Sequence, residues 1–220
     1  MITFNNQYTY HRDIIKLFQG GKYEQYVYSI MQKSKKIFPN QYKYITEQSH
    51  GECDFVDLLT DETYDVKLPF DTSTVELLTS GKNHEPKYIE WLESLLKSSH
   101  DFSMKVKNNH VNYDLSKSVL YKVIKGIIEK ENTDENIIFF FPFPVVLSIK
   151  GSIFLQFQTD YLVAAFNQLT SENVLKGREI FAIYPSNTDN IFAVRNLKSA
   201  NTEFIECTEL GAYFIYKATL

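Results

Sequence analysis

Apolar positions recur along this chain with two different periods, and the period indicates which elements to expect. In residues 22–38, "KYEQYVYSIMQKSKKIF", Tyr23, Tyr26, Val27, Ile30 and Met31 repeat at helical spacing. That predicts a first helix, preceded by Gly20-Gly21 and ended by Pro39-Asn40. The pattern then changes to alternation. A strand is expected around 42–48. "CDFVDLL" (53–59) and "TYDVKLPF" (63–70) follow as two more, with the polar "TDET" as a tight turn between them. The expected opening is therefore a helix and then three strands in an antiparallel meander.

Residues 71–112 are less regular, with a short helix expected over 86–99 behind Pro86. Over 114–132, Val119, Leu120, Val123, Ile124, Ile127 and Ile128 make a wide apolar stripe, with Asp114 or Ser116 as the cap. "NIIFFF" at 136–141 then reads as a strand buried on both faces. A strand, a long crossover helix and a buried strand imply a parallel pairing. The last third holds a helix over 160–170. After it come the strand-like runs "EIFAIYP", "NIFAVRNL", "EFIECTEL" and "AYFIYKAT", separated by "SNTDN", "KSANT" and Gly211. The fold class expected is α/β with a mixed sheet. A core over residues 1–148 would carry a C-terminal α+β extension, 149–220, packed on it.

Composition changes this picture little. Of the 220 residues, 44% are hydrophobic and 23% charged, ordinary for a globular chain; 15% are aromatic, so the core should be rich in Phe and Tyr. Cys53 and Cys207 form neither a disulfide framework nor a zinc knuckle, which suits a reduced, cytoplasmic setting. The N-terminus lacks the apolar stretch of a secretory signal. The run over 137–149 is too short and too broken by proline to span a membrane.

Charge is more informative. The net charge is −4, but it is distributed unevenly. Residues 1–50 carry 7 Lys+Arg against 3 Asp+Glu, 51–103 carry 4 against 12, and 104–130 carry 6 against 2. An acidic band between two basic ones suits an enzyme that holds cations beside a phosphate-binding surface. The same charges also suit solvated faces of helices and loops.

The acidic band is densest in "GECDFVDLLTDETYDVKLPF", residues 51–70, with Glu52, Asp54, Asp57, Asp61, Glu62 and Asp65 followed by Lys67. Asp65 and Lys67 are two apart, so a strand puts both on one face. A two-residue turn at Asp61-Glu62 would set Leu58 opposite Asp65 and Val56 opposite Lys67. Asp54 then shares their face, four residues from the position opposite Asp65, while Asp57 points away. A bulge or a three-residue loop would reverse that choice. Two carboxylates gripping magnesium, with a lysine to orient or help deprotonate a water, is a chemistry suited to phosphodiester hydrolysis.

The order α-β-β-β-α-β, with an acid opening the second strand and acid-x-Lys on the third, resembles the PD-(D/E)XK nuclease superfamily, the restriction-endonuclease-like fold. The resemblance covers roughly residues 20 to 145. It implies Asp54 as the first metal-binding acid and Asp65 as the second. It further implies the Val66 carbonyl as an added metal ligand, Lys67 as the family lysine, and Glu24 as the glutamate that many members place on the first helix. Cys53 stands where the family often has proline. Glu47 is a second candidate for the extra carboxylate, with His50 and Asp57 in reserve. Lys117, Lys122 and Lys125 could line a nucleic-acid-binding wall on the later helix. The expectation is a Mg2+-dependent nuclease, with Mn2+ as substitute, acting on DNA as a homodimer or as a subunit of a larger complex. Microbial or phage defence, restriction or mobile-element processing would be its setting. The alternative is a catalytically inactive module of the same fold that recruits a basic partner protein.

Overall fold

In the computed structural model, the described residues are 22–46, 52–69, 104–107, 110–113, 119–130, 135–141, 148–149, 152–153, 157–175, 177–185 and 191–206. The expected helix over 86–99 and the run "AYFIYKAT" lie outside them. The elements in chain order are α1 (Lys22–Lys33), β1 (Tyr42–Tyr44), β2 (Phe55–Asp57), β3 (Thr63–Lys67), β4 (Met104–Lys107), β5 (His110–Tyr113), α2 (Val119–Lys130), β6 (Asn136–Phe140), β7 (Ser148–Ile149), β8 (Ser152–Ile153), α3 (Phe157–Ser171), β9 (Ile180–Pro185), β10 (Ile191–Asn196) and β11 (Thr202–Glu206). Seven strands form one mixed sheet in the order β1-β2-β3-β6-β9-β10-β11. The hairpins β4-β5 and β7-β8 stand apart from it.

The centre of the sheet is parallel and its flanks are antiparallel. β3, β6 and β9 run side by side in one direction, and α2 and α3 provide the crossovers between them. The meander β1-β2-β3 and the expected parallel pairing of 63–67 with 136–140 are both present. After α3, the described strands β9, β10 and β11 join this same sheet. β9 pairs directly with β6, so the last third extends the same sheet edge to edge.

Side-chain alternation divides the core into two layers. One face carries Phe55, Tyr64, Val66, Ile138, Phe140, Phe181, Ile183, Phe192 and Val194 against Tyr26, Val27, Ile30 and Met31 of α1. The other carries Ile137, Phe139, Ile180, Ala182, Tyr184 and Ala193 against Tyr121, Ile124 and Ile128 of α2 and Leu162, Ala165, Phe166 and Leu169 of α3. Of the apolar stripe expected on α2, Ile124 and Ile128 are buried here and Ile127 packs against the layer, while Tyr121 joins it unannounced. Arg178 closes that helix: its Nη2 donates to the Ile128 carbonyl at 2.8 Å, a cation against the orphan acceptors of a helix end.

Helix α1 stops at Lys33, five residues before its expected end. Glu203 of β11 accounts for this. Its Oε2 accepts from Ser34 Oγ at 2.8 Å and from the amides of Lys36 at 2.9 Å and Ile37 at 3.4 Å. Those bonds hold the chain in a turn that drops Phe38 into the core against Tyr42, Tyr64 and Phe181.

Candidate functional site

The β2-β3 hairpin sets the geometry. Its register pairs Phe55 with Tyr64 and Val56 with Thr63, and the Asp57 amide donates to the Glu62 carbonyl at 2.9 Å. The connection therefore runs through Leu58–Asp61, two residues longer than a two-residue turn, with Asp61 in the left-handed region at φ 57°. An even change in loop length keeps every side chain on its expected face but moves the partners. Asp54, the residue just ahead of β2, thereby comes beside Asp65, and the two carboxyls share a hydrogen bond. The four-residue gap left by the sequence reading disappears.

Asp54 is also where the ladder breaks. A regular strand residue points its N–H and C=O to the same neighbour. Asp54 instead donates to the Tyr64 carbonyl on β3 at 3.0 Å and accepts from the Ile45 amide beside β1 at 2.9 Å. This is the signature of a bulge, a device that re-aims a side chain. The carboxylate turns in and takes the Val66 amide at 2.6 Å, replacing the strand partner that β2 no longer supplies. Asp54 is thereby buried, 5% exposed. The Val66 carbonyl leaves toward the same side as its amide, beside Asp54.

Asp65 and Lys67 lie two apart on the face covered by α2 and α3, in an ion pair of 2.5 Å. Burial pushes the Asp65 carboxyl up to about 7. Lys67 opposes the rise, and a hydrogen bond and the charge of Asp54 add to it. The Asp54 and Asp65 carboxyls therefore share one spot, where two acids stand against the one lysine paired with Asp65. A hard divalent cation fits such a pair, since magnesium is held by one or two carboxylates and keeps several waters. Among the described residues no group of three His, Cys, Asp or Glu side chains is gathered to hold a metal ion.

Glu24 is positioned but does not join the pair. Its Oε2 accepts from the Tyr44 hydroxyl at 3.0 Å. Burial and Glu24 push that phenol up to about 12. Tyr23 is raised as well, by burial, by Glu24 and by the fields of Asp54 and Asp65. Glu24 thus stands on the α1 side with two tyrosines beside it, while Asp65 projects from the opposite face. These tyrosines were missed because nothing in "KYEQYV" or "QYKY" distinguishes them from core aromatics.

Asp57 has a structural task. Its Oδ1 accepts from the Leu59 amide at 2.8 Å and the Thr60 amide at 3.3 Å, and its Oδ2 from Asn40 Nδ2 at 2.7 Å. Burial alone would raise its carboxyl, but these donors outweigh it and hold the group below its ordinary range. On α2, Lys125 is engaged by Glu172, the residue just past α3, and lies 3.8 Å from Glu129; Lys122 is exposed. A phosphate at Lys125 would have to compete with Glu172. Lys117, Glu47 and His50 lie outside the described residues. No helix among the described residues is long and apolar enough to cross a membrane. Compared with protein-family models, with curated proteins and with solved structures, the chain finds no match in any of the three.

Proposed function

We propose that this chain is a metal-dependent nuclease of the restriction-endonuclease-like type, acting on DNA. One observation carries the reading: Asp54, just ahead of β2, meets Asp65 of β3, Lys67 lies two residues on, and β3 is paired in parallel with β6, the strand after α2, in an order α-β-β-β-α-β interrupted by the β4-β5 hairpin. Asp54, Asp65 and the Val66 carbonyl would hold the cation. Bound there, magnesium or manganese supplies charge neutralisation at the scissile phosphate and a water acidic enough to act near neutral pH. The protein's own part is positioning. The Val66 amide fixes the orientation of Asp54, so this carboxylate is set before any ligand arrives. Lys67 is kept on the Asp65 face, where its ammonium can orient the attacking water or stabilise charge growing on the phosphate. With a net charge of −4, one chain should bind duplex weakly, so a dimer or a larger complex would deliver the substrate.

The test uses the full chain with supercoiled DNA, linear DNA and RNA in manganese. Cleavage of DNA is expected. It should be lost in Asp54→Ala, Asp65→Ala and Lys67→Ala, and a calorimetric magnesium signal should disappear in Asp54→Ala. Cleavage that persists in Asp54→Ala at the parent rate overturns the assignment.

A second reading is a binding module of the same fold without catalysis. It is favoured by the closed Asp65–Lys67 pair and by the β2-β3 tip, where Leu58 and Leu59 are 57% and 76% exposed beside Asp61 and Glu62. Neither metal uptake nor cleavage, together with capture of a basic peptide, would select it.

A further inference from the structure

The chain holds 20 lysines and three arginines, and two of those arginines, Arg178 and Arg195, are buried. Arg178 has its charge placed against the Ile128 and Leu175 carbonyls. Arg195 on β10 is different. It is 9% exposed. Its Nη1 donates to Thr202 Oγ1 at 2.7 Å across the β10-β11 pair, a neutral acceptor. Its Nε is buried without a hydrogen-bond partner. No carboxylate among the described residues pairs with it. Its cross-strand neighbour on β9 is Ala182, and Ala193 precedes it by two on the same face; both are buried, so methyl groups stand where a counter-charge would be expected. An ionised guanidinium in such surroundings is costly unless something anionic completes it.

We infer that Arg195 and Thr202 form a binding site for a single phosphate-class oxyanion. A guanidinium presents parallel N–H donors matched to two oxygens of one such group, and here Nε is the donor left over. The Thr202 hydroxyl, now 3.5 Å from the Ala200 carbonyl, can turn to supply another. The narrow exposure suits a free phosphate or a terminal phosphate, not the continuous backbone of a duplex. The site is separate from the carboxylate pair. On the α2/α3 face, Lys67, Phe139, Ala182 and Arg195 lie in successive register positions across β3, β6, β9 and β10. Three strand spacings, about 14 Å, therefore lie between Lys67 and Arg195. The inference does not depend on the nuclease reading.

Thermal unfolding of the full chain tests it, with inorganic phosphate titrated against chloride at constant ionic strength. Phosphate at about ten times its dissociation constant should raise the midpoint by roughly 3–6 °C. The shift should vanish in Arg195→Met, shrink in Thr202→Val and Arg195→Lys, and persist fully in Asp54→Asn, which separates this site from the metal site. A 5′-phosphorylated oligonucleotide compared with its unphosphorylated twin tells a terminal phosphate from a free one: an Arg195-dependent shift with the first alone assigns the terminal group, and a shift with inorganic phosphate alone assigns the free anion. Should Arg195→Met not fold, Arg195→Lys and Thr202→Val carry the test. A parent protein that responds to neither inorganic phosphate nor the phosphorylated oligonucleotide, or variants that respond as the parent does, overturns the proposal.

Discussion

β3 and β6 lie side by side in parallel register, Asp65 across from Ile137 and Lys67 across from Phe139, yet they serve different ends. Every residue of β6 is buried, and its side chains feed both core layers. β3 is buried through Tyr64 and Val66 on the α1 face alone; on the other face it carries an acid and a lysine. The apolar layer under α2 and α3 thus ends abruptly at β3. A strand that packs on both sides contributes stability, since each large apolar side chain buried is worth about 1.5–3 kcal/mol. A strand that leaves one face charged gives up that share and gains chemistry. The raised Asp65 carboxyl is the local sign of the exchange.

The comparison can be broken at its strong side first. Truncation after residue 148 would strip β6 of its β9 partner and uncover both of its faces, so the shortened chain is expected to lose cooperative unfolding altogether, as followed by circular dichroism. Phe140→Ala, at a position fully enclosed by the α1 layer, should cost about 3–5 kcal/mol in chemical denaturation. Next comes Asp57→Ala, which leaves the Leu59 and Thr60 amides and Asn40 without their acceptor; a loss of about 1–3 kcal/mol is expected.

Asp57 and Asp65 should then respond to pH with opposite signs. The folded carboxyl of Asp57 is held below its unfolded value of about 4, so its contribution is present above that value and lost as pH falls below it. Asp65 is raised to about 7, so in chelator its contribution is present below about pH 4 and lost as pH rises through about 7. Asp65→Asn should therefore flatten that window and gain about 1–2 kcal/mol at about pH 8, measured by urea unfolding at several pH values. A stability profile of Asp65→Asn that follows the parent through this window would show that β3 gives up nothing by its charge. The smallest effect is expected for Glu172→Gln, whose partner Lys125 sits in solvent; its unfolding midpoint should stay near the parent's.

Much of this was already written in the order of residues. Periodicity determined the existence and type of α1, α2, α3 and the strands around Asp54 and Asp65, because a 3.6-residue stripe and a two-residue alternation are local properties of the chain. The two-residue step from Asp65 to Lys67 determined that they share a face. Tertiary structure decided the rest. Only the four-residue loop, braced by the Asp57 carboxylate, set the hairpin register that leaves Asp54 beside Asp65, and only the bulge turned it onto the Val66 amide. Glu203, far along the chain, decided where α1 ends. The register of β9 against β10 decided that Arg195 would lie among alanines with no counter-charge among the described residues. None of these is visible locally, because each depends on a backbone donor or a neighbour supplied by a segment that sequence spacing does not place.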